Sequence, residues 1–362
     1  MKPVAGSDID NRLIMRKMNF LLMVLLAAAA SCTVPSDEVG DQNQQPEQEE
    51  QEGNGTPEDE QPGNEDEGDG DVEHKPDVPE APEQAGSGET DGYSLVWEDL
   101  FDAEVLDETA WNIEVNGDGG GNQELQYYRR ENVSLGKDEA SGRNCLILTA
   151  RRESYNGKSF TSGRINSMHK KYFTYGKIEA FIKLPSTANG LWPAFWLMGN
   201  DYSQVGWPRC GEIDILEMGN ATGIRNNTQD RYFNGACHWG FYKDVGNNNW
   251  AYPNYAKAST WSYSLQDGEY HLYTIIWDEQ RVRMFVDMDK YPETEPYYEM
   301  GITGTDDDWG VGHYFHHDFF ILFNLAVGGH FTGILNPSGI TALPEGGEAS
   351  MYVDFVKVYQ KK

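Results

Sequence analysis

Apolar side chains recur at every second position in segment after segment of residues 93–362, and no run of ten or more residues there keeps a helical period. Period two belongs to strands with one buried face, because successive side chains point to opposite sides of a sheet. In the segment 176–184, Ile178, Ala180, Ile182 and Leu184 share one face and the other is mostly charged. That is the pattern of a half-buried antiparallel strand. Segments 270–277 and 281–286 flank Asp278-Glu279-Gln280 and read as the two arms of a hairpin. Segments 319–327 and 351–359 are apolar enough to be strands inside a sandwich. The expected class is therefore all-β, with two packed, curved antiparallel sheets and a concave face.

One of the strands carries chemistry. Glu212-Ile213-Asp214-Ile215-Leu216-Glu217 places three carboxylates in a short apolar stretch framed by Gly211 and Met218-Gly219. On a helix at about 100° per residue the three acids scatter around the axis and share no site. On a strand Glu212 and Asp214 fall on one face, while Glu217 has the wrong parity. A β-bulge, one extra residue at Leu216, would return Glu217 to the acidic face, and bulges commonly re-aim side chains beside active sites. With the bulge the outer Cα atoms lie about 13 Å apart. Two Glu side chains leaning inward could then close to the ~5–5.5 Å that retaining glycosidases need. A solvated edge strand fits poorly, since Ile, Ile, Leu and Met back the acids. A calcium loop fits poorly too, since such loops favour Asp, Asn and Gly over a β-branched run.

Composition divides the rest of the chain. Arg12, Arg16 and Lys17 precede an apolar run from Phe20 to Ala30, which is too short to span a bilayer and has the layout of a secretory signal. Ala29-Ala30-Ser31-Cys32 resembles a bacterial lipobox with Cys32 as the lipidated residue, although Ala29 stands where Leu is usual. An ordinary cleaved signal would give export as well. Residues 33–91 hold 21 Asp or Glu against one basic residue, Lys75, with seven Pro and no aromatic. This stretch cannot bury enough apolar surface to offset the entropy of ordering it. It accounts for about two-thirds of the formal charge of −31 and argues against nucleic acid as a partner. The expected division is a signal with the lipobox-like cysteine at 1–32, an acidic linker at 33–92 and one folded domain at 93–362.

All ten Trp lie in that domain. Trp97, Trp111, Trp261 and Trp277 read as packing residues. Trp192 and Trp196 flank Pro193, which points to a turn or rim near the acidic strand, where an indole face can stack on a sugar. Cys145, Cys210 and Cys237 leave an odd count beyond Cys32; Cys210 and Cys237 could pair in an oxidising compartment, or all three could be buried thiols. His313, His316 and His317 lack a companion carboxylate motif and read as loop residues rather than zinc ligands.

Taken in order, GGGNQELQYYRRENV (119–133), TSGRINS (161–167), YGKIEAFIKLP (175–185), GLWPAFWLMG (190–199), GEIDILEMG (211–219), ACHWG (236–240), NLAVGG (324–329) and MYVDFVKVYQ (351–360) resemble glycoside hydrolase family 16. The likeness is to its bacterial laminarinase-type β-glucanases and covers residues 93–362. It implies a β-jelly-roll sandwich and a retaining double displacement. Glu212 would be the nucleophile, Glu217 the acid/base, and Asp214 would hydrogen-bond the nucleophile. It also implies that Asn122, Arg164, Trp192, Trp196 and His238 line the glucan cleft, although His238 could equally be satisfied by its neighbours in the sheet. No cofactor is implied for catalysis. A structural calcium on the convex side would involve Asp354, with Glu98 as a contributor.

The resulting expectation is an exported, lipid-anchored, monomeric endo-β-glucanase at the outer membrane or cell surface, touching the membrane only through its anchor. Its partner would be β-1,3-glucan (laminarin) or mixed-linkage β-1,3/1,4-glucan. A non-catalytic surface glycan-binding protein on the same sandwich would have no use for a paired acid and nucleophile. Galactan hydrolases for agar, porphyran or carrageenan share the bulged strand. Sulfated chains call for more basic residues than Arg129, Arg130 and Arg164 supply.

Overall fold

The computed structural model describes residues 92–244 and 250–362. The signal segment with Cys32 and the acidic linker up to residue 91 lie outside the described residues. Two sheets form a sandwich. The front sheet runs, in spatial order, Asn254–Thr260, Tyr232–His238, Glu212–Met218, Leu191–Gly199, Phe319–Val327, Arg164–Asn166 and Asn112–Ile113. Tyr172–Phe173 adds to the end of Phe319–Val327. The back sheet runs Tyr298–Gly301, Arg281–Val286, His271–Trp277, Gly176–Lys183, Glu348–Lys361, Asn144–Arg151, Phe160–Ser162 and Gln126–Tyr128. Tyr93–Asp99 and Val133–Lys137 complete it. Pairing is antiparallel except between Gln126–Tyr128 and Phe160–Ser162. The helices among the described residues are one or two turns long, Tyr202–Val205 and Ala221–Asn226 being the α-helical ones.

The alternation seen in the sequence builds the core. Ile178, Ala180 and Ile182 of the back sheet meet Phe195, Leu197, Ile213, Ile215, Leu216 and Met218 of the front sheet in one buried cluster. The predicted hairpin is present, with the Asp278 carboxylate accepting from the backbone N–H groups of Gln280 (2.9 Å) and Arg281 (3.0 Å). All nine residues of Phe319–Val327 are buried, because the strand sits mid-sheet with one face on the core and the other under the cleft. Trp111 and Trp277 are fully buried, and Trp97 and Trp261 pack against the core.

The three cysteines of the domain are free and buried. Cys237 points into the inter-sheet core, whereas Cys210 packs with Met198, Phe320 and Leu322 on the other side of the front sheet. Opposite faces of one sheet separate the pair that could have bridged.

Candidate active site

The Glu212–Met218 strand is framed by glycines for steric reasons. Gly211 has φ +73°, and a Cβ there would meet the Tyr314 carbonyl oxygen at 2.8 Å; Gly219 has φ +94°, and a Cβ would lie 2.0 Å from the Leu191 carbonyl oxygen. Between them the strand is bulged. Against the neighbouring strand, Glu212 lies opposite Met198, Ile213 opposite Leu197 and Asp214 opposite Trp196, but Leu216 then faces Phe195 and Glu217 faces Ala194. Ile215 is the extra residue on this side, one position before the Leu216 expected from the sequence. On the other side the shift falls between Asp214 and Glu217. The result is the predicted reversal of parity. Ile215 and Leu216 both go to the core, and Glu212, Asp214 and Glu217 all line the same cleft, about 840 Å³ in volume, on the outer face of the front sheet.

Confinement governs the protonation of these acids. Burial raises Glu212 to about 7, opposed by the Trp207 indole, the Arg164 charge and a hydrogen bond from Asp214. Glu217 rises to about 8 through burial and then the negative charge of Glu212, with the Trp192 indole N–H donating to it at 3.1 Å. Asp214, 4 % exposed, is pushed well above the carboxylate range by burial and by both glutamates. It shares a hydrogen bond with Glu212. His238 Nε2 lies 3.4 Å from Asp214, and burial lowers its pKa to about 4, which keeps the ring neutral. One imidazole and two carboxyls thus share a small space at one wall of the cleft. The shift of each from its ordinary value follows from where it sits.

The other expected cleft residues are also placed there. Asn122, Arg164, Trp192, Trp196 and His238 all line the cavity. The rim predicted from Pro193 is not observed: Leu191–Gly199 is a central strand, and Pro193 sits one position before pairing with the acidic strand begins at Ala194. Trp192 and Trp196 are held in the cleft by the alternation of that strand. Trp192 stacks on Phe331 at 4.7 Å, leaving only 8 % of its surface exposed, and Trp196 donates to Asn324 at 2.7 Å. Arg164 packs over the Trp196 ring at 4.9 Å and pairs with Glu114 at 2.9 Å.

Trp207, which the sequence places just ahead of the acidic strand, lines the cleft too, and the structure adds Tyr242, Tyr252, Asn234 and Asn324, which sequence reasoning did not single out. Trp207 meets Tyr242 and Tyr252 edge-on at 5.8 and 4.7 Å. Asn324 was legible in principle, as a polar residue in an otherwise apolar strand. Tyr242 and Tyr252 come from loop-rich sequence with no period to reveal their direction. Buried oxygens of Asp214 and Asn234 and the Nδ1 of His238 have no hydrogen-bond partner in the protein. Buried polar groups require partners, and hydroxyl groups of a bound sugar would supply them.

The expected calcium pair is not supported by the side chains present. Asp354 pairs with Arg143 at 3.1 Å, and Glu98 lies 3.7 Å from Lys357, its register partner three positions from Asp354. Carboxylates already facing cations are poor calcium ligands. Among the described residues the one cluster with three donor atoms within 4.8 Å of one another is Glu212, Asp214 and His238. His316 bonds Tyr175 and the Ile302 carbonyl, and His317 bonds the Cys210 carbonyl.

Comparison with known proteins agrees with this geometry. The family model for Glycosyl hydrolases family 16 matches residues 121–302. A second, for Beta-glucan synthesis-associated protein SKN1/KRE6/Sbg1, matches residues 17–209 and stops short of Glu212. The chain is 34% identical over 271 residues to the clotting factor G alpha subunit of Tachypleus tridentatus, covering 74% of this chain and 34% of that one. It is 33% identical over 282 residues to a beta-glucanase of Rhodothermus marinus, covering 74% of this chain and 85% of the relative. The solved structure of a GH16 from a Bacteroides ovatus mixed linkage glucan PUL, in complex with a G4G4G3G product, superposes with a TM-score of 0.62 at 41% identity, covering 73% of this chain and all of that one. On sequence, fold and the matched residues together, the chain belongs to glycosyl hydrolases family 16.

Proposed function

We propose that the protein is a retaining endo-β-glucanase that hydrolyses internal linkages of β-1,3-glucan or mixed-linkage β-1,3/1,4-glucan. The observation that carries the reading is the bulge at Ile215, which turns three acids of unequal proton affinity into one cleft. In the first step the Glu212 carboxylate attacks the anomeric carbon while Glu217 gives its proton to the departing glycosidic oxygen. The carbon–oxygen bond breaks and a glycosyl ester on Glu212 forms. Glu217, now a carboxylate, then takes a proton from water. The resulting attack on the same carbon frees Glu212 and completes retention. Asp214 keeps the nucleophile oriented through its hydrogen bond. The names of the relatives favour β-1,3 and mixed-linkage glucan as substrate. Sulfated galactans fit less well, because Arg129, Arg130 and Arg164 each already face an acid at 2.6 to 3.1 Å. Attachment through lipid on Cys32, with residues 33–92 as a tether and the domain displayed at the cell surface, completes the reading.

Incubation with laminarin, barley mixed-linkage glucan and agarose, followed by chromatography of the products, tests it. Shortened oligosaccharides from a glucan are expected, and Glu212→Gln should abolish them while changing oligosaccharide affinity less than about tenfold. Binding without new reducing ends would replace the hydrolase with a glycan-binding protein, and cleavage of agarose alone would replace the substrate.

A further inference from the structure

The bulge that aims Glu217 raises a question of hydrogen bonding. An extra residue in one strand is left out of the ladder, and a buried carbonyl without a partner is destabilising. The carbonyl of Ile215, the extra residue, accepts from the hydroxyl of Tyr297, a side chain that is itself buried. Tyr297 does not belong to the front sheet. Its backbone N–H donates to the Met284 carbonyl of the back sheet at 3.0 Å, so the phenol reaches across the sandwich to the bulge. Phe233 holds the ring edge-on at 4.7 Å. Gly235 leaves room for it, since a Cβ there would come within 2.9 Å of the ring.

We propose that Tyr297 is a positioning residue: its hydroxyl fixes the bulge at Ile215 and thereby fixes where the Glu217 carboxyl stands over the glycosidic oxygen. The consequence for Glu217 rests on the hydrolase reading; the contact between Tyr297 and Ile215 does not. Glu217 follows the bulge by two residues, and a strand that relaxes here changes the direction of the side chains beyond it. Glu212 and Asp214 precede the bulge and keep their pairing with Met198 and Trp196. Loss of the hydroxyl therefore acts on the proton donor and spares the nucleophile.

Tyr297→Phe removes only that hydroxyl. The test compares kcat/KM, which reports the glycosylation step, on two substrates. A long glucan has a poor leaving group and needs the proton of Glu217. A 2,4-dinitrophenyl oligoglucoside has a leaving group that departs unaided. The expected result is a loss of about tenfold or more on the glucan and less than about threefold on the dinitrophenyl substrate. Phe233→Leu, which loosens the same packing and leaves the hydroxyl in place, should lower the melting temperature without separating the two substrates. Equal losses on both substrates, or none, with a wild type that cleaves both, overturn the positioning role alone. A wild type inert on both overturns the hydrolase reading and this role with it.

Discussion

Glu212 and Glu217 carry the same functional group and lie opposite residues four positions apart on one neighbouring strand, yet double displacement needs one ionised and the other protonated. Burial raises both, and the charge of Glu212 raises Glu217 further, so the order of ionisation matches the order of use. The rate then falls below about 7 as Glu212 gains a proton and above about 8 as Glu217 loses one. A bell-shaped profile of kcat/KM is expected, with both limbs above the ordinary carboxylate range and belonging to the pair rather than to single residues. His238 is neutral throughout this range and contributes no limb. Because Asp214 shares a hydrogen bond with Glu212 that an amide can also donate, Asp214→Asn should retain more kcat than Asp214→Leu, by about tenfold. Equal kcat in the two variants would show that the hydrogen bond to Glu212 does not matter. The three acids were legible in the sequence because their spacing has no good explanation on a helix or a flat strand. Tyr297 was not, because its contact joins positions 82 residues apart and depends on which side chains cross the core.

At the level of the strand, the cost of holding Glu217 in the cleft is an electrostatic one that depends on pH. Its pKa rises on folding from 4.5 to about 8. A carboxyl shifted upward favours the folded state fully below the unfolded value, and that contribution is lost as pH climbs through the folded value. Glu217→Gln removes the ionisation and the loss. The variant should therefore melt several degrees above wild type at pH 9, with the gain shrinking to nothing near pH 4, as followed by calorimetry at both pH values. A constant difference between the two would mean that the effect is one of packing. The elements themselves were readable wherever one face was buried, as in Gly176–Lys183 and the hairpin at Asp278–Gln280. Leu191–Gly199 was harder. Pro193 signals a turn in isolation, but it pairs with Leu325 on one side and precedes the pairing with the acidic strand on the other, so the strand continues. Period-two patterns also say nothing about partners, so the sequence did not show that Arg143 stands beside Asp354.

The whole chain divides its tasks unequally. Core, cleft and every residue of the proposed mechanism fall within residues 92–362, while residues 33–91 carry 21 acids, one Lys and no aromatic side chain to bury. If the acidic stretch serves as a tether, it adds place rather than catalysis. A protein beginning at residue 92 should then keep the kcat of the longer chain on soluble glucan and melt within about 2 °C of it, since surface changes away from a packed core stay within about 0.5 kcal/mol. Cys32→Ser in the full chain should leave kcat equally untouched while moving the activity from the membrane fraction of the producing cells to the soluble fraction. The two measurements separate the parts of the proposal. A fall in kcat on truncation would give the acidic stretch a part in the cleft, whereas activity that stays with the membrane after Cys32→Ser would locate the anchor elsewhere in the chain.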